Sequence, residues 1–129
     1  MTNTTIRSPK LAPPAGPYVQ AIRSGGVIYF SGQVGQDPAT GRLVDGGVAQ
    51  QVEQIFANLA AVLEAANKQF ADVVRVGVFL TDMADFGVVN EIYARHFAEP
   101  YPARTTVAVA ALPLGAAVEI DLIVHDRER

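Results

Sequence analysis

The chain of 129 residues is long enough for one hydrophobic core, and with 50% hydrophobic against 18% charged residues it has the composition to build one. Ten scattered Lys and Arg are outnumbered by thirteen Asp and Glu, and the net charge of −3 argues against a nucleic-acid surface. The absence of cysteine excludes disulfides, thiol catalysis and cysteine-ligated zinc.

No apolar run reaches membrane-spanning length and the start MTNTTIRSPK lacks the layout of a signal peptide, so cytoplasmic residence is expected. Residues 4–8 predict a short strand, and the Pro-rich 9–17 (PKLAPPAGP) an extended loop. Strands over 18–23 and 27–34 flank Gly25-Gly26, a pair suited to the positive backbone angles of a hairpin turn. The punctuated loop 35–47 leads to an amphipathic helix in which Val48, Val52, Ile55, Phe56, Leu59, Val62, Leu63 and Ala66 recur at spacings of three and four, with Asn67 able to end it.

Residues 73–81 read as a strand buried on both sides, with Val74, Val76, Val78 and Leu80 on one face and Val73 and Phe79 on the other. A second helix is predicted from about 85 to 98, with Phe86, Val89, Tyr93 and Phe97 on one stripe and Val88, Ile92 and His96 beside it. The chain closes with strands over 104–111 and 116–125 around a Leu112-Pro113-Leu114-Gly115 break, which reads as a hairpin. The order is ββαβαββ after a small extra strand: an α+β fold with two helices on one face of a mixed four- or five-stranded sheet. The other face holds Phe79 and Ile123, and mean hydropathy is high at +0.20, so another subunit is expected to cover it.

The final hairpin carries charges in unusual places. Strand alternation sets Val118, Ile120, Leu122 and Val124 on one face and Glu119, Asp121, Ile123 and His125 on the other. If the Val faces of both strands lie together, Arg104, Thr106, Glu119 and Asp121 share the opposite surface. Arg104 reads either as a bidentate carboxylate clamp or as an ion-pair partner of Glu119 or Asp121. Glu119 reads either as a general acid or base whose pKa rises in a dry pocket, or as an edge charge that discourages aggregation. In the simplest register Glu119 falls opposite Ala108, roughly 13 Å along the strand from Arg104. A ligand bridges that gap, or the register shifts, or the charges meet partners across a subunit boundary.

Ser31 and Gly32, in FSGQ, offer a hydroxyl and a close backbone N–H, although such a Ser is often only a small strand residue. His96 fits helix packing and His125 a solvent-facing position, and no Ser-His-acid order is visible. Two histidines and irregularly spaced acids give no metal-ligand pattern, so neither metal nor cofactor is expected. Gly32-Gln33-Val34-Gly35 matches the GxxG of some RNA-binding loops only in spelling, since it ends a strand without opening a helix.

Taken together and in order, AGPYVQA (15–21), IYFSGQVGQDPATG (28–41), QIFANLAAVLEAA, VFLTDMADFGVVNEIYARHF, PARTTVAV and AAVEIDLIV resemble the Rid family of reactive-intermediate imine and enamine deaminases, once filed as endoribonucleases and translation inhibitors. The resemblance covers nearly the whole chain and implies a single Rid-like domain over 1–129. It further implies a chorismate-mutase-like homotrimer with helices outward, sheets packed inward and clefts between subunits. Residue by residue it implies that Arg104 clamps the substrate carboxylate, that Glu119 activates water with the help of Ser31 or Thr106, and that Tyr18, Ser31, Gly32, Asn90 and Thr106 bind substrate. Thr106 departs from the Cys typical of the best-studied branch, which clouds the substrate range. The activity implied is hydrolysis of 2-imino acids such as 2-iminobutanoate, or the imine form of 2-aminoacrylate, to 2-oxo acids and ammonia. A trimeric module that senses small acids without turnover is the rival reading. A ribonuclease fits an acidic chain poorly, and a chorismate mutase would want more cations than Arg104 in its cleft.

Overall fold

Alternating apolar residues commit six segments of the chain to strands. In the computed structural model, which describes residues 2–126, these strands join one mixed sheet in the order β1-β2-β3-β6-β4-β5. They are β1 (Thr4–Ile6), β2 (Ala21–Ser24), β3 (Val27–Gln33), β4 (Val73–Leu80), β5 (Ala103–Ala108) and β6 (Val118–His125). The helices α1 (Val48–Ala65) and α2 (Phe86–Tyr93) lie on one face, as the periodicity requires. Between them and the sheet, Ile28, Phe30, Ile55, Phe56, Leu59, Val62, Val76, Val78, Leu80, Val118, Ile120, Leu122 and Val124 form the core.

Local chemistry explains the joints. Gly25 and Gly26 turn β2 into β3 with φ of 57° and 86°, a conformation that strains any residue with a Cβ. Asn67 takes φ 57° just beyond α1, where Lys68 N–H reaches the Leu63 carbonyl at 2.9 Å and Asn67 N–H reaches Glu64 at 3.0 Å, a left-handed helix cap. The second helix ends earlier than its apolar stripe: past Tyr93 the N–H groups of Arg95 and His96 bond three residues back, tightening the chain into a turn. That turn lays His96 flat on Phe56, with ring centroids 4.1 Å apart. Val88, expected beside the buried stripe, is 40% exposed.

Three expectations about the sheet require correction. It has six strands and not four or five, because β1 pairs with β2 and extends the edge. In β4 a register shift between Val73 and Arg75 turns Val73 into the core and leaves Val74 exposed, reversing their predicted phase. The final pair of strands is no hairpin. Parallel to β4, β5 forms the sheet edge, whereas β6 lies antiparallel between β3 and β4. Glu119 therefore stands beside Phe79 and not opposite Ala108. The reason lies in the two sequences: β6 is apolar at every second position and half-buried between them, with only its terminal His125 exposed, which suits a central strand. The residues of β5 are exposed or only partly buried, which suits an edge.

This topology separates charges that alternation alone had placed together. In register, Arg104 aligns with Val76 and Thr106 with Val78, so both stand on the helix side of the sheet. Glu119 aligns with Phe79 and Asp121 with Gly77, on the open side with Thr105 and Val107. The open side also presents Tyr29, 48% exposed, and the partly buried Phe79 and Ile123. No helix of the described residues is long and apolar enough to cross a membrane.

Candidate active site

The acid side of the site is built where β3 leaves its ladder with β6. The register breaks between Phe30 and Gln33, which takes Ser31 and Gly32 out of regular pairing. Gly32 is there because the Glu119 carboxylate occupies the space a Cβ would need. A cavity of about 460 Å³ opens at this point, lined by Tyr18, Gln20, Ser31, Gly32, Asn58 and Glu119 on its polar part and by Leu11, Pro13, Pro14, Pro113 and Leu114 on its apolar part.

The Pro-rich segment forms one wall because its ends are tied: the buried Gln20 side chain accepts from Ser8 N–H at 2.6 Å and donates to the Ser8 carbonyl at 3.3 Å. Asn58, buried on α1, donates to the Gln36 carbonyl at 3.0 Å and fixes the loop at the other side. The Ser31 hydroxyl donates to the Val19 carbonyl at 2.6 Å, and Ser31 N–H bonds the Gln20 carbonyl at 3.0 Å. With its own hydrogen committed, that hydroxyl faces a ligand as an acceptor. Burial raises the Glu119 carboxyl above its ordinary range, and the negative charge of Asp121 pushes the same way.

The cation side lies on the helix face of the sheet edge. The Arg104 guanidinium sits 4.7 Å from the Tyr93 ring centre and 5.5 Å from that of Phe86, a seat made of π-faces. Phe86, Asn90 and Tyr93 fall four and three residues apart on α2, which places Asn90 between the two rings on the same stripe. Burial raises the Tyr93 hydroxyl pKa, with the positive charge of Arg104 opposing it. Among the described residues no salt bridge engages Arg104, so the intrachain pairing with Glu119 or Asp121 does not form. Two residues further along β5, Thr106 Oγ1 is buried, and among the described residues it has no hydrogen-bond partner.

The predicted residues thus fall into two groups. Tyr18, Ser31, Gly32 and Glu119 gather at one cavity; Asn90, Arg104 and Thr106 stand on α2 and β5, outside its lining. Within one chain the strands bring the acid and the cation no closer than opposite faces of the sheet. The sequence reading missed the aromatic seat of Arg104, since Phe86 and Tyr93 looked like ordinary helix packing, and it missed Leu114 and the Leu11-to-Pro14 wall. The density of apolar and Pro residues in a segment with no strand or helix signal was the available clue. Among the described residues, no group of His, Cys, Asp and Glu is arranged to hold a metal ion.

Residues 9–126 match the family described as Endoribonuclease L-PSP. A mouse protein named 2-iminobutanoate/2-iminopropanoate deaminase is 48% identical over 118 residues, which cover 92% of this chain and 87% of that protein. Among solved structures, RidA from the Antarctic bacterium Psychrobacter sp. is 46% identical with a TM-score of 0.90, covering 95% of this chain and 98% of that one. The yeast protein YEO7 superposes with a TM-score of 0.92 at 38% identity, over 98% of this chain and all of that one.

Proposed function

The chain belongs to the endoribonuclease L-PSP or Rid family, and from that premise we propose that it is a deaminase that hydrolyses 2-imino acids to 2-oxo acids and ammonia. It works as one Rid domain over 1–129, in the cytoplasm, as a homotrimer whose clefts are shared between neighbouring subunits. The observation that carries the reading is the division of the site: a partly desolvated carboxylate over a cavity on one part of the chain and, on the other, an arginine that no salt bridge engages among the described residues. A second copy that sets its Arg104 against this Glu119 completes the site and covers the apolar open face.

In the completed cleft Arg104 holds the substrate carboxylate by two parallel N–H donors, with Phe86 and Tyr93 fixing the plane of the guanidinium. The half-buried Glu119 takes a proton from a water, whose oxygen bonds to the imine carbon as the C=N electron pair moves to nitrogen. The same carboxyl returns that proton to nitrogen to give a carbinolamine, then takes its O–H proton and passes it to nitrogen as the C–N bond breaks, so that ammonia leaves and the carbonyl of the 2-oxo acid forms. Ser31 accepts a hydrogen bond from the attacking water or from nitrogen, and the Thr106 hydroxyl, without a hydrogen-bond partner among the described residues, and the Asn90 amide face the substrate beside Arg104. Tyr18, 54% exposed at the rim, closes over it. Nuclease action fits poorly, because a net charge of −3 provides little to hold a phosphate backbone.

The test generates 2-iminobutanoate in situ and follows its loss against the spontaneous rate. Accelerated loss that collapses in Arg104→Ala is expected. Full turnover in that variant would sink the mechanism.

A further inference from the structure

Leu114 occupies a place that folding alone does not explain. It is 56% exposed, so its side chain gains little from the core, and its φ of 60° is a left-handed conformation that favours Gly or Asn. Exposure favours a polar residue and the backbone favours a small one, yet the position holds a large apolar side chain. Strain of this kind collects where a ligand is gripped. Leu114 lies on the lining of the Glu119 cavity, and with Pro113, Leu11, Pro13 and Pro14 it makes that wall continuously apolar.

Methyl and ethyl side chains leave the apolar wall in contact with water, whereas a branched or aromatic one covers it.

Resting on the deaminase reading, we infer that Leu114 is a specificity-determining residue. It grips the side chain of the substrate, and the preferred substrates are 2-imino acids with bulky apolar side chains, of leucine or phenylalanine size. One methylene group more or less against such a wall is worth about tenfold or more in kcat/KM.

The experiment uses an L-amino-acid oxidase to generate imines from 2-aminobutyrate, leucine and phenylalanine, and measures kcat/KM for each. The leucine and phenylalanine imines are expected to exceed the 2-aminobutyrate imine. In Leu114→Asn, a smaller, polar side chain of the same branched shape that tolerates the left-handed backbone, the ratio of leucine to 2-aminobutyrate imine is expected to fall about tenfold. A ratio unchanged in Leu114→Asn and in Leu11→Ser would overturn the inference while leaving the deaminase reading intact. So would a ratio that holds while the oligomeric state changes, which would assign Leu114 to a subunit contact. Failure of the unaltered protein to hydrolyse any imine would remove the deaminase reading and this inference with it.

Discussion

The two parts of the site are held by opposite kinds of chemistry. Around Glu119 the protein limits access of water: a strand bulge, a glycine against the carboxylate and a tied Pro-rich loop leave the acid half-buried and its pKa raised. Around Arg104 it supplies aromatic faces, Tyr93 and Phe86, that orient a cation without neutralising it. An acid that must accept a proton near neutral pH needs a cost on its charged form, whereas a cation that must bind an anion needs its charge kept and its direction set. A carboxylate placed beside Arg104 within the chain would destroy both properties. Opposite faces of one sheet prevent that contact within the chain.

The largest expected effect breaks the cation side. Arg104→Ala should lower kcat/KM on 2-iminobutanoate by roughly a hundred- to a thousandfold, since two charge-assisted hydrogen bonds are lost, and Arg104→Lys should recover only part because it cannot reproduce the fork. Next comes the acid side. Glu119→Gln should reduce kcat by about a hundredfold with KM little changed. The pH profile of the unaltered protein should lose activity on the acid side at a pH above the ordinary carboxyl value of 4.5, because burial keeps Glu119 protonated for longer as pH rises.

Glu119 also links the site to stability. Its folded-state pKa is raised, so its ionisation opposes folding: the cost is absent below the unfolded value and fully present once pH exceeds the folded one. Glu119→Gln should therefore raise the Tm by a few degrees at pH 7 and by nothing near pH 4, as thermal unfolding at the two pH values would show. A lower Tm at pH 7 would contradict the desolvated placement.

Smaller effects sharpen the contrast. Gly32→Ala introduces a Cβ into the space of the Glu119 carboxylate, whose flexible end can swing away, so the fold should survive while kcat/KM drops roughly ten- to thirtyfold. Phe86→Ala, measured in the same assay, should raise KM only about two- to fivefold with kcat kept, the worth of one cation–π contact.

Much of the fold was legible in the sequence because it rests on period: the spacing of Val52, Ile55, Phe56, Leu59, Val62 and Leu63 and the alternation from Val118 to Val124 each match the buried set. Strand pairing was not legible, since alternation says which residues share a face of one strand but not which strands become neighbours. The Leu112-to-Gly115 break looked like a hairpin, and only the contrast between an exposed β5 and a buried β6 separates them in space. At the site, Gly32 and Ser31 stood out by residue type. The aromatic seat of Arg104 did not, because Phe86 and Tyr93 carry the same helical signal whether they fill a core or face a guanidinium.

The central claim, a site divided between two chains, is tested most directly by mixing. Arg104→Ala and Glu119→Gln are each purified, confirmed inactive, then unfolded and refolded together at equal concentration. In a cyclic trimer about a quarter of the clefts would join an intact Arg104 from one variant to an intact Glu119 from the other, so about a quarter of the activity of the unaltered protein is expected. A mixture as inactive as its components, with mixed trimers verified by mass, would contradict the account.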